Sequence, residues 1–325
     1  AALLIVERVW RHSRVATREF AAPVSAGIAA LFVLALVTNP LFMYTSGRSW
    51  NHDPAVLLAL AATLLIGGLT HATRPRHAAF AAGLLVGCAV GTRSTMAVMI
   101  PPILIASWLA PADADDARPW RDALACCCGV GTALAPLLVF VALSADGFLF
   151  GNLDYNLSFN PQYRREMGYD VAMTLAQKVD FLRNTILPHP RNAALAFAYV
   201  TSALCALARR HRDRSATGAL VVAISLPFLA LAALAPTPTW EQYYYALVPF
   251  LITGIVANVQ AAGNRLRTAI AVAATLPLLA GAVTGARHYW PFLAASPRDE
   301  WTALRVHEAG RTIAASVGNG RVLTL

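Results

Sequence analysis

Apolar runs of membrane-spanning length recur along this chain and constrain its fold more than any other feature. A helix of about 20 apolar residues crosses the hydrocarbon layer of a bilayer. The chain is 57% hydrophobic and 13% charged, about half the charged share of an ordinary soluble domain, which is roughly 25%. We therefore predict an all-α polytopic integral membrane protein with about nine transmembrane helices. The predicted spans are residues 22–44, 54–70, 78–92, 95–110, 122–143, 193–208, 217–235, 243–260 and 268–286.

Arginines cluster in alternate loops, which indicates how the chain is oriented. Arg and Lys concentrate on the cytoplasmic side, and arginines precede the first predicted span and follow the second, fourth, sixth and eighth. The short loops of opposite parity hold Arg48 and Arg93, and 236–242 has no cation. One kinked helix over 78–110 would place the later arginine-rich loops on the opposite side of the membrane from the earlier ones. The pattern therefore favours two spans there. We expect a bacterial inner membrane protein whose opposite loops face the periplasm.

The net charge of +9 fits cytoplasmic loops that face anionic headgroups, which makes membrane lipids an expected partner and nucleic acid an unsuitable one. We assign residues 1–290 to a transmembrane domain with a long outer loop at 144–192. Four apolar residues of that loop recur at helical spacing and predict a helix on the membrane surface; a solvated loop is the alternative. These residues are Leu175, Val179, Leu182 and Ile186.

Residues 291–325 are predicted to begin a soluble extracytoplasmic domain. Ser296, Pro297 and Asp299 indicate the start of a helix, which we expect to end at Gly318 before an apolar, strand-like run. A single strand has no partner for its backbone groups. The first residues have neither an initiating Met nor a signal peptide with a cleavage site. We expect the chain to be a fragment of a longer protein.

Asn51, His52 and Asp53 form the first candidate site, at the outer edge of the second predicted span. Asp53 precedes Pro54, so it could simply cap the helix, because Asp is a preferred N-cap and complements the positive helix end. The same position suits catalysis: Asp53 could accept a proton or help to hold a divalent cation, and His52 could polarise or protonate a substrate. Asn51 would add a polar substrate contact. The sequence leaves both interpretations open.

Arg93 is the second candidate and lies at the outer turn between two short predicted spans, flanked by Thr92, Ser94 and Thr95. A guanidinium beside several hydroxyl donors suits a phosphate held at the lipid boundary. The alternative is an arginine that reaches up to the headgroups. Arg164 and Arg165, adjacent cations of the outer loop, are further candidates for substrate binding.

The stretch "TPTWEQYYYALVPFL", residues 237–251, is the third candidate. Trp240 and the following tyrosines fit an interfacial aromatic belt. Glu241 and Gln242 fit such a belt less easily, and polar groups among aromatic faces suit a sugar ring. We therefore take Glu241, Gln242 and Tyr244 as candidate sugar contacts. Shared sidedness suggests that all three candidate sites converge on one outer cavity.

Three stretches resemble the GT-C superfamily of membrane glycosyltransferases, in particular the bacterial relatives of protein O-mannosyltransferases and of the lipid A aminoarabinose transferase. They are "NPLFMYTSGRSWNHDPAVLLALAA", "AAFAAGLLVGCAVGTRSTMAVMIPP" and "WEQYYYALVPFLITGIVA". The resemblance implies a GT-C-like fold. It also implies transfer of a sugar from a polyprenyl-phosphate donor to a lipid, glycan or protein acceptor on the outer face, with inversion at the anomeric carbon.

The same resemblance suggests roles for individual residues. Asp53 would fall on the acidic position of the family's second outer loop, and Arg93 would contact the donor phosphate. In relatives that use a divalent metal, such as Mg or Mn, Asp53 would be the residue here to help hold it. The family's principal acidic residue lies in the first outer loop, which would precede Ala1, so we expect this chain to be inactive by itself if it is a fragment.

The competing function is a polytopic transporter or flippase of a lipid-linked sugar. Such proteins usually place polar groups near the bilayer midplane on broken helices. Here the predicted spans lack acidic residues in their interiors and the polar candidates cluster at outer ends, which favours the enzyme.

Overall fold

The computed structural model describes residues 22–46, 51–67, 75–109, 119–168, 173–207, 217–261, 276–287, 308–313 and 315. These residues are almost entirely helical and include no strand, which confirms the all-α part of the predicted fold class. The strand-like run at 321–325 lies outside the described residues. So does most of the helix expected from Ser296 to Gly318, of which 308–313 is helical.

Helices follow the predicted spans, with ends shifted because apolar runs determine helix interiors whereas caps and turns determine helix ends. In the N-terminal half they are α1 (Ala22–Val37), α2 (Pro40–Thr45), α3 (His52–Gly67), α4 (Pro75–Thr92), a 3-10 helix (Ser94–Met99), α5 (Ile100–Leu109), α6 (Pro119–Leu134) and α7 (Leu137–Leu143). The outer loop holds α8 (Ala145–Leu149), a π-helix (Phe150–Phe159), α9 (Asn160–Glu166), α10 (Leu175–Phe181) and a second π-helix (Leu182–Ile186). The remainder comprises α11 (Pro190–Leu207), α12 (Thr217–Leu234), a 3-10 turn (Glu241–Tyr244), α13 (Leu247–Ala261), α14 (276–287) and α15 (308–313).

Two of these helices are long and apolar enough to cross a membrane, over Thr217–Leu234 and Glu241–Val259. A third span results if Trp120–Leu134 and Leu137–Leu143 are taken together across a bend of 47°. Residues 52–67, 76–92 and 94–109 form shorter apolar helices. Long apolar helices are therefore present, whereas a full set of nine spans stays a prediction.

The first predicted span, 22–44, is two helices rather than one. The side chain of Asn39 accepts a hydrogen bond from the backbone N–H of Leu41, and Pro40 occupies the first position of α2. These are the features of a helix start. Buried Asn39 also donates through Nδ2 to Oδ1 of Asn192, 2.9 Å away. The break is thus held by a polar pair that joins α2 to the start of α11.

Helices α4 and α6 approach so closely that glycine is required where they touch. A Cβ atom on Gly83 would overlap the Cys126 carbonyl, and one on Gly129 would overlap the carbonyl of Phe80. Gly87 meets Val130 in the same way, four residues further along each helix. Small residues spaced in this manner let helix backbones pack directly, as they do between membrane helices.

The same contacts show that the chain reverses at Arg93. Because residue 83 pairs with 126 and residue 87 with 130, α4 and α6 run parallel. The chain leaves α4 at its C-terminal end and enters α6 beside the N-terminal end, where the charges of Arg76 and Asp122 interact. The intervening 3-10 helix and α5 must therefore run back along α4. The segment 78–110 is a helical hairpin, as predicted, and not one kinked helix.

Two hydrophobic cores form within the described residues, and the 3-10 turn at Glu241–Tyr244 lies between them. The first core packs α3, α4, α5 and α12 around Phe250. The second packs α11, α13 and the end of the outer loop around Val248 and Ile255. Tyr245 belongs to the first core and Tyr244 to the second. The turn is therefore anchored on both sides.

The outer loop contacts the second core through its C-terminal half. Ile186 is buried, whereas Leu175 is 69% exposed and Val179 is 45% exposed. The predicted apolar stripe is therefore split, because the face that packs inward carries Lys178, Phe181 and Ile186. The helical stretch 145–166 exposes several aromatic residues, including Phe150, Tyr155 and Phe159, which contact one another.

The chain divides into two compact units, residues 1–282 and 283–325. The candidate residues of all three sequence clusters lie in the first unit. The division falls inside α14, whereas the sequence placed the domain boundary after residue 290.

Candidate functional site

Three distant parts of the chain meet at one end of the first core. They are the beginning of α3, the turn after α4, and the 3-10 turn with the residue that follows it. The C-terminal end of α2 adjoins them. We call the group of side chains at this junction the Asp53–Arg93 cluster, and it consists of Ser46, Asn51, His52, Asp53, Arg93, Thr95, Tyr243 and Tyr245.

Asn51 joins the start of α3 to the end of α4. Its Nδ2 donates to the backbone carbonyl of Thr92 at 2.6 Å, and its Oδ1 accepts from Nη1 of Arg93 at 3.0 Å. Nε of Arg93 donates to the Thr95 hydroxyl at 3.0 Å. The guanidinium is therefore held by two neutral oxygens, one from Asn51 before α3 and one from Thr95 after the turn.

Arg93 is half-buried and has no carboxylate partner among the described residues. Its Nη2 atom makes no hydrogen bond to any of them, and its guanidinium carbon lies 5.7 Å from the centre of the Tyr243 ring. Burial lowers the pKa of Arg93, but a guanidinium stays protonated at neutral pH. A fixed positive charge with unused N–H donors is suited to an anion with several oxygens.

His52 is buried and is neutral at physiological pH. Burial, together with the positive charge of Arg93, lowers its pKa from 6.5 to about 4, against a smaller opposing effect of Asp53. Its Nδ1 lies 3.5 Å from Nη1 of Arg93, so in the neutral ring this nitrogen is placed to accept and Nε2 carries the proton. The ring packs between Tyr243 and Tyr245, with both ring centres 6.4 Å away.

Asp53 lies in the first turn of α3, one residue inside the helix rather than before it. The N-cap interpretation therefore requires correction, although the carboxylate still complements the positive helix end. Oδ2 accepts a hydrogen bond from the Ser46 hydroxyl at 3.1 Å, and the Tyr245 side chain is also hydrogen bonded to Asp53. The carboxylate is thus held by donors from α2 and from the aromatic turn.

The three consecutive tyrosines have three different environments. Tyr243 faces Arg93 and His52, and Tyr245 contacts Asp53, His52 and Phe42. Tyr244 is 1% exposed and packs against Phe181 of the outer loop. Tyr244, which the sequence suggested as a sugar contact, therefore lies in the second core, and its neighbours line the cluster.

Lys178 connects the outer loop to the segment that leads into the aromatic turn. It is 7% exposed, and its Nζ donates to the carbonyls of Leu234 at 2.8 Å and Ala235 at 3.2 Å. These carbonyls end α12, where a cation also complements the negative helix end. Burial lowers the pKa of Lys178. The contact fixes the exit of α12 only a few residues before Tyr243.

The remaining predicted residues are not brought into the cluster by a described contact. Glu241 and Gln242 lie half-buried on the 3-10 turn itself. Arg165 is exposed on α9, where its Nε donates to the Pro161 carbonyl at 3.4 Å. The side chain of Arg164 lies outside the described residues.

The described residues do not fit a divalent metal site. No three His, Cys, Asp or Glu side chains within them lie close enough together to hold a metal ion. The Asp53 carboxylate, the residue suggested for Mg or Mn, accepts hydrogen bonds from the hydroxyls of Ser46 and Tyr245 and belongs to no group of three such ligands in the described residues.

Sequence reasoning found the polar residues of α3 and the Arg93 turn but did not single out Ser46, Tyr243 or Tyr245. Ser46 could have been identified from the sequence, because it and Asp53 stand at opposite ends of the same short loop, which joins α2 to α3. The tyrosines did not, since three identical neighbours cannot be distinguished until the turn type is known. In a 3-10 turn successive side chains point about 120° apart.

Comparison of the chain with protein-family models, curated proteins and solved structures found no match.

Proposed function

We propose that this protein is a GT-C-like membrane glycosyltransferase that moves a sugar from a polyprenyl-phosphate donor to a lipid, glycan or protein acceptor on the outer face of the membrane. The observation that carries the proposal is the state of Arg93: a half-buried guanidinium with free Nη2 donors and no described carboxylate partner. A protein rarely leaves such a cation unpaired unless an anion from outside binds it.

The position of the cluster suits a donor of this kind. It adjoins the ends of apolar helices, and α7 exposes Leu138 at 68% and Leu143 at 78%, values typical of surfaces that face lipid rather than water. A polyprenyl tail would remain among such helices while its phosphate reaches Arg93. This placement supports an integral membrane protein, proposed for the bacterial inner membrane with the cluster facing the periplasm.

The reaction follows from the charges in the cluster. The acceptor hydroxyl oxygen forms a bond to the anomeric carbon of the donor sugar, and the bond from that carbon to the phosphate oxygen breaks. The electron pair leaves with the phosphate, whose added negative charge Arg93 stabilises. The proton of the acceptor passes to the Asp53 carboxylate. Neutral His52 contributes no competing charge and holds the guanidinium in place through Nδ1.

A binding and turnover assay of the full-length protein in nanodiscs tests the proposal. We expect Arg93→Met to weaken binding of a short-chain polyprenyl phosphate by about tenfold to a hundredfold, as loss of a charge-assisted contact would. Asp53→Asn should leave this binding within twofold and abolish transfer of labelled sugar from polyprenyl-phosphate mannose, glucose or aminoarabinose.

Arg121→Met and Asp154→Asn are matched controls. Arg121 also lies over an aromatic ring, that of Trp120, but at the start of α6, and Asp154 is exposed on the outer loop. Both variants should behave as wild type. Equal phosphate affinity in wild type and Arg93→Met would overturn the proposal. Movement of a fluorescent polyprenyl lipid between leaflets without sugar transfer would instead support a transporter or flippase.

A further inference from the structure

Two buried oxygen atoms beside the Asp53–Arg93 cluster have no hydrogen-bond partner. Thr45 is 1% exposed, and its Oγ1 makes no hydrogen bond. The Oε1 atom of Gln242 is likewise buried and without a partner. Burying a polar group without a hydrogen-bond partner is unfavourable, so two such atoms need an explanation.

Helix geometry directs both side chains toward the same part of the cluster. Phe42 and Thr45 are three residues apart on α2 and therefore share a face, and Phe42 contacts the Tyr245 ring at 5.9 Å between centres. Gln242 lies on the 3-10 turn and Tyr245 follows it directly, and the backbone N–H of Tyr245 donates to the Gln242 carbonyl at 3.4 Å, so these two residues are aligned as in a 3-10 turn. Helix α2 packs against this turn. Thr45 therefore shares a face of α2 with a residue that contacts Tyr245, and Gln242 shares a face of the turn with Tyr245 itself.

Two other buried threonines each donate to the carbonyl four residues earlier. Thr63, 2% exposed on α3, donates to the Ala59 carbonyl at 2.9 Å, and Thr38 donates to the Leu34 carbonyl at 2.7 Å. This is the usual partner for a helical threonine. Thr45 departs from that pattern next to Ser46, whose hydroxyl holds Asp53.

We propose that Thr45 and Gln242 are specificity-determining residues that accept hydrogen bonds from hydroxyl groups of a sugar ring bound against Tyr245. This inference rests on the proposed function and names the part of the donor that these residues recognise. In the described structure the Tyr245 ring is 5% exposed and lies against Phe42 and His52, so it would offer a stacking face to a sugar only once Phe42 moves away with α2; the oxygens of Thr45 and Gln242 would then accept from the sugar hydroxyls. Because Thr45 is closed to solvent, the ring binds when α2 and the 3-10 turn separate slightly.

A stability–affinity comparison tests this assignment. Thr45→Val keeps the shape of the side chain and removes its unsatisfied hydroxyl, so we expect the melting temperature of the unliganded protein to rise by about 2 °C. The same variant should weaken binding of short-chain polyprenyl-phosphate mannose, glucose or aminoarabinose by about fivefold to tenfold, for whichever sugar wild type prefers. Its affinity for bare polyprenyl phosphate should stay within twofold. Gln242→Met should act in the same direction.

Three variants serve as controls. Thr45→Ser retains the hydroxyl and should keep the affinity for the sugar-bearing lipid within twofold. Thr63→Val removes a satisfied hydroxyl and should lower the melting temperature without changing either affinity. Arg93→Met should weaken binding of both lipids, because it removes the contact to their common phosphate.

These measurements separate the inference from the proposed function. Equal affinity of Thr45→Val and wild type for the sugar-bearing lipid would show that the Thr45 hydroxyl does not bind the sugar, and would overturn the inference. So would equal weakening for the bare and sugar-bearing lipids, which indicates a structural role. In both cases loss of phosphate binding in Arg93→Met would leave the proposed function intact. If wild type binds neither lipid, both proposals are overturned.

Discussion

The polar side chains of the cluster are distinguished by the charge that each one keeps. Arg93 stays protonated with neutral partners, and the Asp53 carboxylate is held by hydroxyl donors. His52 stays neutral because it is buried beside a cation. A mixture of this kind provides one positive and one negative group separated by an uncharged ring.

At the residue scale, the state of His52 predicts a pH dependence. Its pKa is about 4 in the folded protein and 6.5 as the ordinary value, so the unfolded chain binds more protons between these limits. Stability is therefore full above about pH 6.5 and falls as the pH is lowered toward 4. We expect a loss on the order of 2 kcal/mol, after allowance for solvent screening.

Thermal unfolding of wild type and His52→Gln between pH 7.5 and pH 4.5 checks this prediction. The variant should lack the part of the acid destabilisation that arises from His52. Parallel curves for the two proteins over this range would show that His52 is protonated equally in the folded and unfolded states.

At the scale of helices, the close approach of α4 and α6 determines where the Arg93 turn lies. Their contacts run through Gly83, Gly87 and Gly129, and the parallel direction of the pair places the end of α4 beside the junction of α6 and α7. The hairpin that follows returns along α4. The glycines thus set the direction of the pair, whereas Arg93 itself is held in the cluster by Thr95, Asn51 and His52.

Two glycines on α6 provide opposite predictions for the same substitution. Gly129→Ala should destabilise the protein by about 1–3 kcal/mol, because its Cβ would overlap the Phe80 carbonyl. Gly131→Ala meets nothing within 4 Å and should stabilise by up to about 1 kcal/mol through helix propensity. The free energies of unfolding of the two variants and wild type can be compared by chemical denaturation in the same detergent. A gain in stability from both changes would be inconsistent with the packing of α4 and α6.

At the scale of the whole molecule, the sequence predicted the helical class, the hairpin at Arg93 and the proximity of the 51–53 segment to Arg93, which the structure shows through Asn51 and His52. Apolar runs and the distribution of arginines over alternate loops can be recognised in the sequence without knowing which distant residues pack together. The break at Asn39 was not predicted, because its support comes from Asn192 far along the chain. Tyr243 and Tyr245 were not distinguished from Tyr244, because their directions depend on packing between two cores.

The proposed orientation predicts which exposed positions face the outside of the cell. In a variant without native cysteines, Gln162→Cys on α9 should react with a membrane-impermeant maleimide in intact cells. His77→Cys, exposed at the start of α4, should react only after permeabilisation. Labelling of His77→Cys in intact cells would reverse the orientation and move the cluster to the cytoplasmic side.

The ammonium group of Lys178 donates hydrogen bonds to two carbonyls at the end of α12, and the nearby Phe181 ring contacts the Tyr244 ring. The outer loop is therefore joined at two points to the segment that carries the aromatic turn, and the placement of Tyr243 over the guanidinium depends on a part of the chain more than sixty residues earlier.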